Sequence, residues 1–202
     1  MTLVSWDAPG FGQSRPPERD YDDCYRRDAE ILYRLMTENL GFKRFNILGF
    51  SDGGRTAIHL ATKHSKIIDK LILVGTTTFN SPKELTALEL TENINTWADD
   101  RLDKFSLDYP CREDLQFLWS NWVEANSRLG DFLTDKISLI EAKTFLLYGE
   151  KDIIAPVDPH LNHIKKHLKA YRKHVFPSTS HDCHQEEWRD FNCLIEKFLL
   201  LK

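Results

Sequence analysis

The sequence predicts an α/β fold: a mostly parallel sheet with helices on both faces, interrupted by one helical insertion. Three observations carry this. Short, largely apolar runs alternate with stretches whose apolar residues recur at helical spacing. Those runs lack the strict apolar–polar alternation of half-exposed strands, as expected where both faces of a sheet are covered. Residues 81–139 break the alternation and show no strand pattern at all.

Taken in order, Thr2–Trp6 is β-rich and runs into the turn cluster Asp7-Ala8-Pro9-Gly10-Phe11-Gly12, so a buried strand is expected there. Asp22 to Asn39 reads as a helix on the spacing of Ile31, Leu32, Leu35 and Met36, and Gly41 stops it. Phe45–Phe50 is a short strand, and Gly53–Lys63 a helix with Ala57, Leu60 and Ala61 on one face. Lys70–Val74 and Thr144–Tyr148 are strands that end at Gly75 and Gly149. His160–His167 is a helix, Tyr171–Phe176 the last strand and Glu186–Leu200 the last helix. Between the strands at 70–74 and 144–148 the chain carries Trp97, Phe105, Phe117, Trp119, Trp122 and Phe132 among many charges. This segment reads as a helical cap, because ligands of such sheets bind at the carboxyl ends of strands, where the insertion departs. The expected division is therefore a core of residues 1–80 and 140–202 with a cap of residues 81–139.

Composition limits the function classes. The 202 residues suit one domain with an insertion, and 41% are hydrophobic. Lys plus Arg is 27 against 31 for Asp plus Glu, a net charge of −4, without the basic footprint of a nucleic-acid binder. No run approaches the roughly 18 apolar residues of a membrane span. The four cysteines, Cys24, Cys111, Cys183 and Cys193, form no C-x-x-C pair and read as reduced thiols of an intracellular protein. His181-Asp182-Cys183-His184 is not expected to hold a metal, since adjacent residues rarely converge on one ion. No secretory leader is expected, since the first residues show no basic stretch followed by an apolar core. A monomer acting on a small molecule, with neither nucleic acid nor membrane as partner, is the expectation. The expected compartment is intracellular, cytoplasmic or mitochondrial, and any presequence would lie upstream of Met1.

The strongest chemical signal is Gly49-Phe50-Ser51-Asp52-Gly53, a G-x-S-x-G motif with a strand before it and a helix after it. A sharp strand-to-helix turn strains the central residue, needs small neighbours and lifts the serine hydroxyl above the sheet edge. Such a nucleophile needs a base and an acid that orients it. Asp152 follows the strand 144–148, and His181 follows the strand 171–176, so both loops open at the edge that carries Ser51. Glu150 and Asp158 compete for the acid, and His184 for the base. His59 and His64 lead away from the elbow, His174 lies within a strand, and His160, His163 and His167 are expected to face solvent.

These residues resemble the α/β-hydrolases, and among them the valacyclovir-hydrolase group of biphenyl-hydrolase-like serine esterases. The resemblance rests on Trp6-Asp7-Ala8-Pro9-Gly10-Phe11-Gly12-Gln13-Ser14-Arg15-Pro16-Pro17, Leu48-Gly49-Phe50-Ser51-Asp52-Gly53-Gly54, Gly149-Glu150-Lys151-Asp152 and Ser180-His181. It implies an α/β-hydrolase-type fold and a nucleophile, acid and base at Ser51, Asp152 and His181. It also implies an oxyanion donor in the Asp52 N–H, a carboxylate at Asp52 for the α-amino group of the substrate, and hydrolysis of α-amino acid esters without a cofactor. Asp52 has a plainer alternative as an anion at the start of the following helix. In that family the D-x-x-G-x-G strand follows three others and a second oxyanion loop, which this chain lacks, so a truncated sheet and an impaired hydrolase-like protein are expected as one alternative. A carbon–carbon bond hydrolase with the same triad is another.

Overall fold

The computed structural model describes residues 2–129 and 133–201. Four parallel strands form the sheet: β1 (Phe45–Phe50), β2 (Ile68–Val74), β3 (Lys143–Gly149) and β4 (Tyr171–Phe176), hydrogen-bonded in that order. The register pairs Phe50 with Val74, Val74 with Leu147 and Gly149 with Phe176, so the carboxyl ends of all four strands share one edge.

Period-2 geometry splits the strand residues between two cores. Leu71, Leu73, Leu146 and Tyr148 pack on one face against Ala57, Ile58, Leu60 and Ala61 of α2 (Asp52–Lys63) and Leu161 and Ile164 of α7 (Val157–His167). Ile72, Val74, Phe145 and Leu147 point the other way, against Cys183 of α8 (Cys183–Glu186) and Phe191 and Phe198 of α9 (Trp188–Leu200). Burial on both faces is why these strands read as continuous apolar runs. The expected helix at 22–39 is α1 (Cys24–Arg34) followed by a wider π turn, Leu35–Asn39, before Gly41 at φ +73°. The expected last helix is divided, with a break at Glu187 between α8 and α9.

Two expectations need correction. Thr2–Trp6 is not a strand: among the described residues it has no sheet partner, and Leu3 is 88% exposed. Its β-rich composition has no strand beside it to exchange hydrogen bonds with, and β propensity without a partner does not make a strand. The turn that follows does form: Asp7 accepts from the Gln13 N–H at 2.9 Å, and a Cβ on Gly12 would meet that carboxylate at 2.4 Å. His160 is also misjudged. It is fully buried, its Nε2 2.5 Å from Glu84 Oε1, whereas the sequence suggests a solvent-facing position. A carboxylate 76 residues away supplies the partner that a helical wheel does not display.

The insertion holds α3 (Pro82–Glu89), α4 (Asp99–Ser106), α5 (Arg112–Arg128) and α6 (Thr134–Ile137). Ser81 and Glu84 close a capping box at the start of α3. Ile94, Trp97, Leu102, Tyr109, Leu115 and Leu118 make a third core, with Phe105 and Trp119 packed against it. Phe117 is exposed, and Phe132 lies outside the described residues. The D-x-x-G-x-G turn touches this layer: Phe11 packs on the third core, and the Arg15 guanidinium stacks 4.1 Å from the Tyr109 ring.

Candidate active site

Ser51 occupies the turn between β1 and α2 at φ 51°, ψ −120°, a region an L residue adopts only when the surroundings impose it. Two close approaches do so. A Cβ on Gly49 would lie 2.5 Å from the Gly53 carbonyl, and one on Gly54 would lie 1.9 Å from Thr76 Oγ1. Glycine at both positions is therefore a packing requirement of the elbow. The Ser51 N–H donates to the Val74 carbonyl at 2.9 Å, tying the elbow to the end of β2. As the first residue of α2, Asp52 has an N–H outside the intrahelical ladder, at the positive end of the helix.

Asp152 and His181 meet. Nδ1 of His181 lies 2.7 Å from Asp152 Oδ2, and the other carboxylate oxygen accepts from the N–H groups of Ile154 (2.9 Å) and Ala155 (2.8 Å). The Asp152 side chain is fully buried, that of His181 14% exposed. A carboxylate oxygen can only accept in this contact, so Nδ1 is the donor and Nε2 is the ring nitrogen left to face the elbow. The loops reach each other because Gly149 lets the Ser180 carbonyl come within 1.9 Å of where a Cβ would stand. Phe50, the residue before Ser51, lies 4.8 Å from the His181 ring between centroids, and Gly75 backs it. Phe50 and Gly75 thus set His181 beside the elbow, and among the described residues no direct hydrogen bond joins it to Ser51. Hydrogen bonds of this kind commonly tighten only when substrate is present.

The rivals are placed elsewhere. Glu150 accepts from the Ser178 N–H at 2.8 Å, and Asp158 is exposed on α7. His184 packs on Phe50 with ring centroids 4.4 Å apart, its buried Nδ1 has no partner, and burial lowers its basicity. Burial and the nearby Asp152 push the Cys183 thiol up to about 11, which keeps it protonated and a poor nucleophile.

Asp52 does not cap its helix. Its Oδ2 accepts from the Trp122 indole N–H at 2.6 Å, and Oδ1 lies 3.1 Å from Arg55 Nη1, with the side chain 35% exposed. Trp122 and Arg55 are contributors that sequence reasoning does not find: the first is one aromatic among several, 70 residues from Asp52, and the second is a helix residue with no motif around it. Gly75 is legible only as a strand end, although a Cβ there would stand 3.0 Å from His181 Cε1.

Comparison with known proteins gives the same architecture. A family model described as the alpha/beta hydrolase fold matches residues 2–108. The human serine hydrolase BPHL is 32% identical over 207 residues, which cover 98% of this chain and 69% of that protein. A Pseudomonas putida 2-hydroxy-6-oxononadienedioate/2-hydroxy-6-oxononatrienedioate hydrolase is 25% identical, covering 98% of this chain and 76% of its own length. Among solved structures, a meta-cleavage product hydrolase from Pseudomonas fluorescens superposes with a TM-score of 0.72 at 21% identity, over 96% of this chain and 77% of that one. At that identity the superposition speaks for the fold alone. The elbow, the parallel sheet and sequence similarity along nearly the whole chain converge on one conclusion: the protein is a hydrolase and belongs to the α/β-hydrolase family.

Proposed function

We propose that the chain cleaves carboxylic esters, α-amino acid esters among them, through an acyl-enzyme formed on Ser51. The observation that carries this reading is the buried Asp152–His181 pair beside a strained serine elbow. In the first step Nε2 of His181 takes the Ser51 proton as Oγ attacks the ester carbonyl carbon, and Asp152 stabilises the imidazolium. The carbonyl oxygen becomes an oxyanion, for which the Asp52 N–H is a donor. Collapse breaks the C–O bond to the alcohol, which leaves with the proton from His181. Water then loses a proton to His181 as it attacks the acyl carbon, releasing the acid and restoring Ser51. Asp52 gives the acyl side its carboxylate: two donors occupy only part of its acceptor capacity, and its partial exposure leaves room for a substrate ammonium.

A fluorophosphonate probe tests the nucleophile. Covalent labelling at Ser51 and turnover of an activated ester are both expected to vanish in Ser51→Ala, with thermal unfolding little changed. Turnover by the variant at the parent rate would refute the reading. The similarity to the Pseudomonas putida hydrolase supports carbon–carbon bond cleavage as a second reading. Parallel assays on amino-acid esters and on ring-cleavage dienoates separate the two, since the preferred substrate has a kcat/KM orders of magnitude above the other.

A further inference from the structure

Arg55 has no part in the steps above, yet its guanidinium is bonded on several sides. It lies one turn beyond Ser51 on α2 and is 4% exposed. Nη1 donates to the Tyr25 hydroxyl (2.8 Å) and Asn126 Oδ1 (2.6 Å), Nη2 to Asn80 Oδ1 (2.9 Å), and Nε to Thr77 Oγ1 (3.1 Å). These four partners are neutral and hold the fork in place. Asp52 Oδ1, 3.1 Å away, is a carboxylate within ion-pair reach. Although burial disfavours the cation, Tyr25 and Asp52 hold its pKa above the ordinary arginine value. Arg55 thus places its guanidinium behind the carboxylate beside the nucleophile. Trp122 fixes the other oxygen of that carboxylate from α5, so Asp52 is held from two directions.

We propose that Arg55 is a specificity-determining residue that sets the charge preference of the acyl pocket. It offsets Asp52, so the pocket admits neutral acyl groups alongside α-amino acyl groups instead of selecting strictly for an ammonium. An ammonium that docks on the open side of Asp52 also feels the guanidinium behind it, and part of its attraction is lost. The inference rests on the reading of Asp52 as the receptor for the substrate's amino group.

The measurement is the ratio of kcat/KM for an L-phenylalanine ester to that for the matching 3-phenylpropanoate ester, which lacks the amino group. A loss of folded protein lowers both values and cancels in the ratio, so a purely structural role for Arg55 leaves it unmoved. Arg55→Met removes the charge, and Arg55→Gln does so while keeping an amide for the neighbouring hydroxyl and amide groups, should the methionine variant fold poorly. Each is expected to raise the ratio by about three- to tenfold, the effect of a unit charge roughly 6 Å away at an effective dielectric between about 80 and 40. Arg55→Lys, which keeps the charge and loses the fork, is expected to leave the ratio within about twofold of the parent. Asp52→Asn is expected to lower it at least about tenfold. An unchanged ratio in the neutral Arg55 variants, with the Asp52→Asn loss intact, overturns the proposal and leaves the amino-ester reading standing. A rise in Arg55→Lys equal to that in Arg55→Gln shows that packing rather than charge is responsible, and also overturns it. An unchanged ratio in Asp52→Asn refutes the amino-ester reading itself, and the role of Arg55 falls with it.

Discussion

At the scale of single residues, the site depends on side chains that are absent as much as on those present. Gly75 adopts φ +53°, and a Cβ there would stand 3.0 and 3.1 Å from Cε1 and Nδ1 of His181. The imidazole must then shift by a few tenths of an ångström, while its partner Asp152 is fixed by two backbone N–H groups. Gly75→Ala is therefore expected to lower kcat about tenfold with KM within about twofold, and to cost about 1–2 kcal/mol of stability from the left-handed backbone. Steady-state kinetics with thermal melts check this, and an unchanged kcat would show that the ring has slack on that side. Ser51, Asp152 and His181 could be picked out as candidates from the sequence because each follows a strand end and carries a chemically reactive or titratable group. Gly75 could not be ranked the same way, because its role consists of leaving space for a ring 106 positions further on.

At the scale of elements, α2 carries both the elbow and a half-buried base on its flank. Burial, together with Lys136 and Arg26, pushes the His59 imidazole down to about 4 from 6.5, although Asp23 opposes this. Between about pH 6.5 and pH 4 the unfolded chain binds a proton at this position that the folded chain refuses. The stabilisation is thus complete above pH 6.5 and is lost as pH falls through that window. His59→Leu is expected to flatten the acid limb of the stability curve by about 2–3 kcal/mol across those units, allowing for the partial exposure of the ring. Urea unfolding at a series of pH values measures it, and a limb as steep as that of the parent would assign the acid loss to other groups. The boundaries of α2, α7 and the four strands follow from periodicity within a residue or three. What periodicity could not supply is the bond between α7 and α3, because the buried His160–Glu84 pair joins two helices whose relative placement is a tertiary fact.

For the whole molecule, the two margins of the sheet differ in character. β4 presents Arg172, Lys173 and His174, the kind of charge that discourages edge pairing. Among the described residues β1 pairs only with β2, and it is largely apolar, with Leu48 47% exposed. Weak self-association through β1 is expected as concentration rises, and Leu48→Lys should reduce it. Sedimentation velocity across a concentration series is the check: equal association in parent and variant would locate the contact elsewhere. The expected first strand belongs to this scale as well, for Thr2–Trp6 has the composition of a strand but no neighbour in the sheet to make it one.

The α/β class, the order of the core elements, the serine elbow and the candidate acid and base are legible in the sequence of residues 1–202 alone. Each of these is written locally: in the period of apolar residues, in glycines that permit a strained turn, and in functional groups placed just after strands. Which partner each group meets is settled by packing. It set Trp122 and Arg55 on the two oxygens of Asp52, Gly75 behind His181 and Glu84 against His160, and it left Thr2–Trp6 outside the sheet. The physical reason is range. Backbone preference and helical or strand period act over a few residues, whereas these contacts join positions far apart in the chain and exist only after the packed layers bring them within hydrogen-bond or van der Waals distance.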